Sequence, residues 1–285
     1  MDNVNPRESL LTDFPGSPKT TKKKLKGFVI FGPAGLGGVK NSEEVLEIYS
    51  KNGIKACEIA FTYGVYIKDK KDAERIGEKA KKLGIKLSIH APYWINLNSE
   101  DKKKIEQSKD RILECCRIGN YLGVYKVVFH PGYYGKMGRE ETYENIKKAI
   151  IDIQKKRKKL KYKPELAPET TGKINVFGSF DEILKLGKDT KCSFCIDFAH
   201  ILAREKKVNY KEIFSRLKSF KEIHIHYSGI EYGEKGEKRH LKTSEKIWKD
   251  LLKELPKDKD FVIINESPEC VQDSIEGIKI YKEMK

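Results

Sequence analysis

CSFCIDFAH, residues 192–200, decides how this chain is read. The apolar, β-favouring start runs directly into Asp197 and, three residues later, His200. A buried strand over 192–197 puts Asp197 at its C-terminal end and His200 on the following turn, both facing whatever lies above the sheet. An ionised carboxylate there needs a partner, because burying it alone costs several kcal/mol or forces it to neutralise.

The same pattern repeats along the chain. Short apolar runs at 27–31, 55–60, 86–90, 125–130, 164–169, 192–197, 221–226 and 261–266 read as strands. Between and after them, amphipathic Lys/Glu-rich runs near 43–52, 71–83, 101–121, 140–160, 179–187, 209–218, 244–254 and 272–283 read as helices. Ser42, Ser99 and Ser179 stand where helix caps belong. Eight strands alternating with eight helices is the count of an α/β fold of the TIM (β/α)8 barrel type, which takes about 250 residues. The strand at 164–169 is the weakest of the set because of its prolines. The barrel is expected over 27–285, preceded by a basic, disordered arm over 1–26.

Composition narrows the function classes. The 285 residues include 58 Lys and Arg against 42 Asp and Glu, a formal charge of +16. That excess favours a polyanionic partner, although Lys- and Glu-rich surfaces also suit proteins from hot environments. No stretch approaches the ~20 apolar residues of a membrane span, and 1–26 lacks the apolar centre of a secretory signal. The expectation is a cytoplasmic monomer that does not engage membranes. The six cysteines show no disulfide spacing; Cys192 and Cys195 form a CxxC, but residues three apart on a strand face opposite sides and read as core.

The strand ends carry the chemistry. Strand three ends at His90, four at His130, five at Glu169, six at Asp197 with His200 beyond, seven at His224 and His226, and eight at Glu266. The loop after strand seven adds Glu237 and His240 in GEKGEKRH, so all six histidines of the chain fall in this set. Active sites of TIM barrels gather at that face. Imidazoles and carboxylates without thiolates ask for divalent metal, with Zn(II) fitting best and Mn(II) or Fe(II) as alternatives. So many donors exceed one tetrahedral ion, which implies two or three, bridged by a shared carboxylate. Asp197 and His200 then serve adjacent metals.

HAPY at 90–93, HPG at 130–132, PETTGK at 168–173, CIDFAH at 195–200, HIH at 224–226 and NESP at 265–268 together resemble endonuclease IV, the zinc-dependent abasic-site endonucleases. The resemblance spans about residues 27–283. It implies that His90 and His130 bind one zinc, which Glu169 bridges to a second held by Asp197, Glu266 and a strand-seven histidine. It further implies that His200 holds a third with Glu237 and His240. His226 is chosen on strand seven because, like the other ligands, it stands at the very end of its strand; His224 then lies one layer deeper or serves as the alternative ligand. The implied reaction is hydrolysis of the phosphodiester 5′ to an abasic site in double-stranded DNA, with Glu169, Glu266 and Asp197 as catalytic carboxylates. Tyr93 falls where the family places a tyrosine that engages the distorted duplex.

Two departures stand out. The family's loop carries Asp-x-His, whereas here one more residue separates Glu237 from His240; and the early loop that in the family inserts polar side chains into DNA here reads FTYGVYI. Tyr93, Trp94, Tyr133 and Tyr134 beside the candidate ligands suit base stacking or ordinary packing at the barrel mouth. GPAGLGG at 32–38 lacks the Lys-Ser/Thr ending of a phosphate loop and reads as a flexible turn. The rival functions are a metal-dependent sugar isomerase or epimerase of the xylose isomerase-like barrels, and a metal-stabilised DNA-binding protein without catalysis.

Overall fold

The computed structural model describes residues 27–285, and the arm expected over 1–26 lies outside the described residues. The barrel strands are β1 (Val29–Pro33), β2 (Ala56–Ala60), β3 (Lys86–His90), β4 (Lys126–Phe129), β5 (Glu165–Pro168), β6 (Cys195–Asp197) and β7 (Glu222–Tyr227). A hairpin of β8 (Gly229–Gly233) and β9 (Gly236–Leu241) follows, and β10 (Asp260–Asn265) completes the set. Two parallel ladders run β2-β3-β4-β5 and β6-β7-β10-β1. Parallel bridges from Ala34 to Glu58 and from Glu169 to Cys195 join them. The Lys55 amide donates to Phe31 O at 3.1 Å and the Thr170 amide to Cys195 O at 3.2 Å, so the eight strands close into one barrel.

Around it lie α1 (Ser42–Lys51), α2 (Lys70–Leu83), α3 (Lys102–Leu122), α4 (Arg139–Lys159), α5 (Phe180–Thr190), α6 (Phe198–Glu205), α7 (Tyr210–Arg216), α8 (Glu245–Leu252) and α9 (Cys270–Glu283). Alternation along the strands sorts the two faces. Ile59, Ile89, Val127, Ile225 and Ile263 point outward into the core beneath the helices. Each such side chain contributes about 1.5–3 kcal/mol by burial. Small or slender residues point inward, among them Ala56, Val128, Ala167 and Cys195, which leaves room for larger polar side chains between them. Cys192, just before β6, packs in the outer core and Cys195 in the inner one, so the CxxC pair is core as expected. None of the described helices is long and apolar enough to cross a membrane.

Ser179 caps α5 through a full capping box with Glu182. Ser42 and Ser99 do not cap: Asn41 stands at the N-cap of α1, and Asp101 takes that place on α3, its carboxylate accepting from the Lys103 amide at 2.8 Å. The strand expected over 192–197 is reduced to its last three residues, and His200 lies in α6 rather than on a turn. The expected loop GEKGEKRH is largely strand β9.

Candidate metal centre

The C-terminal ends of the barrel strands converge on a cleft of about 360 Å³ lined by His90, His130, His200, Glu237, His240 and Glu266. Glu169 lies at its floor, fully buried. Its Oε2 is 3.1 Å from the Nε2 atoms of both His90 and His130, and its Oε1 is 2.9 Å from His226 Nδ1. His226 Nδ1 also lies 3.2 Å from Glu266 Oε1. His200 Nε2 is 3.4 Å from Glu237 Oε2, and His240 Nε2 is 3.9 Å from Glu266 Oε2. His224 makes none of these contacts; it sits below, against Glu58.

Donor atoms within 4.8 Å of one another fall into three groups at this face: His90, His130 and Glu169; Glu169, Asp197, His226 and Glu266; and Asp197, His200 and His240. All nine candidate ligands are thus brought together, Glu237 through its contact with His200.

Local structure explains how. Asp197 is the N-cap of α6, its Oδ1 accepting the His200 amide at 2.7 Å. The three-residue spacing in DFAH is therefore cap to third helical position, and it leaves Asp197 Oδ2 and the His200 ring facing the cleft. His200 Nδ1 donates to Thr170 O at 2.9 Å, and the Thr170 hydroxyl accepts from the Asp197 amide at 2.8 Å. His90 Nδ1 likewise donates to Ala91 O at 2.8 Å, fixing Nε2 toward Glu169.

The extra residue between Glu237 and His240 is absorbed by a bulge. Tyr232 pairs with Glu237 and Glu231 with Arg239, so Lys238 has no residue opposite it in the strand register. One residue out of step restores period two, and Glu237 and His240 face the same side. The hairpin then docks on the PETTGK loop, where the Glu237 amide donates to Gly172 O at 3.1 Å. Glycines permit this approach: at Gly236, φ +96°, an added Cβ would meet Gly172 O at 2.1 Å, and at Gly172 one would meet Glu237 Cβ at 2.7 Å.

The electrostatics call for cations. Burial alone would push Glu266 and Glu237 up, but His226 beside the first and His200 beside the second hold both down at about 2. Burial would lower His90, and Glu169 overrides it to lift the ring to about 9. Asp197 goes the other way, raised by burial and by the negative charge of Glu266 and Glu169. Asp197 Oδ2 and His200 Nε2 are buried with no hydrogen-bond partner. A group that accepts from neutral imidazoles and several carboxylates at once is a divalent cation, which on entering would displace protons from the histidines.

At the rim, Tyr93, Trp94 and Tyr133 are roughly half exposed, and Tyr63 of the early loop packs beside Trp94 with ring centroids 5.9 Å apart and planes tilted by 52°. Tyr134 instead packs on Phe177 and hydrogen-bonds Glu182, a structural role.

The sequence reading passed over Glu58, Thr170 and Ser228. Ser228 Oγ lies 2.6 Å from His240 Nδ1 and orients that ring. The signal for Glu58 was present: a lone carboxylate within the apolar strand ACEIA, on its inward-facing parity.

The family model described as the xylose isomerase-like TIM barrel matches residues 46–284. The chain belongs to that family. An uncharacterized protein of Methanocaldococcus jannaschii is 38% identical over 276 residues, 90% of this chain and 98% of its own. A protein of Aquifex aeolicus named probable endonuclease 4 is 26% identical, covering 68% of this chain and 73% of its own. The resemblance to endonuclease IV read from the motifs is upheld by this and similar relatives. Among solved structures, endonuclease IV from Thermus thermophilus matches with TM-score 0.60, 22% identity and coverage of 90% and 97%. A D-tagatose 3-epimerase-like protein matches with TM-score 0.68, 21% identity and coverage of 89% and 96%. The likeness to solved structures therefore establishes the barrel and does not choose between nucleases and epimerases.

Proposed function

We propose that this protein is a DNA-repair endonuclease that hydrolyses the phosphodiester 5′ to abasic sites in duplex DNA, using two or three zinc ions. One observation carries it: eight imidazole and carboxylate groups meet in three donor sets, two of them sharing Glu169, with Glu237 beside His200 and with Asp197 Oδ2 and His200 Nε2 left without hydrogen-bond partners. Those orphans fit a metal, and the donors suit Zn(II), with Mn(II) or Fe(II) as substitutes. Cations held there would neutralise charge on a phosphodiester and activate water for its hydrolysis.

The chain's own residues supply the rest. Glu169 holds two donor sets at bridging distance, and Asp197 and Glu266 complete the second. Glu237 and His240 arrive on the hairpin to close the third around His200. Tyr93, Trp94 and Tyr133 offer faces for stacking in a gap left by a missing base, and a nucleotide without a base costs little to extrude. The +16 charge favours a polyanion, and binding should weaken steeply with salt. Three histidines beyond a carboxylate-dominated site, His130, His200 and His240, weigh against the sugar epimerase reading.

The test is a duplex oligonucleotide with one tetrahydrofuran abasic site, incubated with the zinc-loaded protein and with His200→Ala, and resolved on a denaturing gel. The expected result is a single 5′ incision that the variant loses. An uncut duplex from protein shown to contain zinc would sink the repair reading and favour a sugar substrate; tight lesion binding without a cut would mark a non-catalytic protein.

A further inference from the structure

Beneath the candidate metals, the barrel interior holds a connected set of polar side chains that the donor sets do not use. Glu58, on β2, is fully buried. Its Oε2 accepts from Ser88 Oγ at 2.7 Å and lies 3.1 Å from His224 Nε2. Its Oε1 accepts no well-aligned hydrogen bond but lies in ion-pair contact with His226 Nε2 at 2.9 Å. The far side of His224 is taken too, by the Tyr125 hydroxyl on Nδ1.

A carboxylate only accepts, so each imidazole nitrogen facing Glu58 carries its proton there. His224 then donates from Nε2 and accepts from Tyr125 at Nδ1. The Nε2 atoms of His224 and His226 are 3.3 Å apart because both converge on one anion. His226 Nδ1 faces Glu169 and Glu266, which also only accept, so without a cation it carries a proton as well; a cation between those carboxylates would displace that proton and take the Nδ1 lone pair while Glu58 keeps the proton on Nε2. His90 and His200 are turned the opposite way: each donates from Nδ1 to a backbone carbonyl and presents Nε2 to the cleft.

We propose that Glu58 is a positioning residue, which, backed by Ser88 and the Tyr125–His224 pair, fixes the tautomer and orientation of His226 so that this histidine alone among the three ligates through Nδ1. A carboxylate that holds the outer nitrogen of a ligating histidine is a general device of metal sites, worth about 10–100-fold in metal affinity. The inference rests on the metal-binding reading of His226.

The test uses the full chain, labelled with 15N-histidine and loaded with 113Cd. In the wild type, His226 should show cadmium coupling at Nδ1 and a proton on Nε2, whereas His90 and His200 should couple at Nε2. Glu58→Leu should lose the His226 coupling or move it to Nε2 and weaken cadmium binding about 10–100-fold. Glu58→Gln keeps an acceptor for His226 and should restore most of both, which separates positioning from a failure to fold. Coupling through Nε2 in the wild type, or Nδ1 coupling and full affinity in Glu58→Leu, would overturn the proposal while leaving the metal centre standing. A chain that takes up no cadmium would overturn both. Cys195 lies within ligand range of His224 and His226. A thiolate-to-cobalt charge-transfer band, lost in Cys195→Ser, would show that this inner set holds a metal itself and would overturn the positioning role.

Discussion

The two ends of the barrel handle buried charge in opposite ways. At the N-terminal ends of the strands, Glu222 opens β7 between Lys86 and Lys126, which open β3 and β4. Lys126 Nζ is 3.6 Å from Glu222, Lys86 is paired with the same carboxylate, and both ammonium groups lie over the Tyr125 ring at 4.0 and 5.0 Å. None of the three charged side chains has a buried atom without a partner. At the C-terminal ends, carboxylates outnumber fixed cations. Of the five buried side-chain atoms without a hydrogen-bond partner among the described residues, two, Asp197 Oδ2 and His200 Nε2, belong to the donor sets, and a third, Glu58 Oε1, lies just below them with only the 2.9 Å ion-pair contact to His226 Nε2. The ion cluster at the lower end is satisfied by its own side chains, leaving only Arg157 Nε, beside the start of β5, without a partner there, whereas the unpartnered atoms at the upper end lie among groups that could hold a cation. Unsatisfied polarity of this kind is costly for a fold and is kept where function needs it.

The sharpest way to break this contrast is at Glu169, the carboxylate shared by two donor sets. Glu169→Gln should lower bound zinc and reduce incision by more than about a hundredfold, a larger effect than loss of an outer-shell residue. The metal-free variant should also be less stable than the metal-free wild type near neutral pH, because Glu169 pairs there with His90, His130 and His226 and removing one partner of a buried ion pair costs about 3–5 kcal/mol. Metal analysis, the incision gel and urea unfolding check the three parts. A variant that kept its zinc but unfolded more easily would make the upper cluster structural, like the lower one.

The reverse experiment belongs at the lower end. Lys126→Met fills similar volume but removes one of the two cations facing Glu222. Because Lys86 still serves that carboxylate, the cost should be about 1–3 kcal/mol rather than that of a fully abandoned charge. Urea unfolding should show the loss, and the incision rate per folded molecule should not change. A fall in rate at unchanged stability would mean that the two ends are coupled through the barrel interior.

Much of this division was legible in the sequence because both periodicities and strand ends are local properties. His90, His130, Glu169, Asp197 and Glu266 each close an apolar run, and His226 could be preferred to His224 by the same criterion. What was not legible depends on neighbours distant in sequence. Glu58 faces inward by simple alternation, but its meaning depends on His224 and His226, some 166 residues away in the first case. Helix α6 was missed because it begins within the motif itself, with Asp197 ending a strand and capping a helix at once. Hairpin β8–β9 was read as a loop because GEKGEKRH carries little β propensity; it is held by pairing and by docking on Gly172.

That hairpin also yields the smallest expected effect and the strictest test of how the third donor set is built. Counted along the chain, Glu237 and His240 are three apart and should face opposite sides of a strand. They share a side because Lys238 is bulged out, so what matters is the face and not the spacing. Deleting Lys238 would leave Glu-Arg-His, two apart, in a regular strand with the same side chains toward His200. Zinc content and incision should then stay within about threefold of wild type, a change worth less than about 1 kcal/mol. Inserting one glycine after Lys238 should instead cost much more: the pair, then four apart, shares a face only in an unbulged strand, which carries His240 one residue pair, about 7 Å, further along the hairpin from its place beside His200. If the deletion were as damaging as the insertion, the bulge would be contributing something other than parity, such as a kink that brings the hairpin down on Gly172. The upper end of the barrel would then depend on backbone shape as much as on its donors.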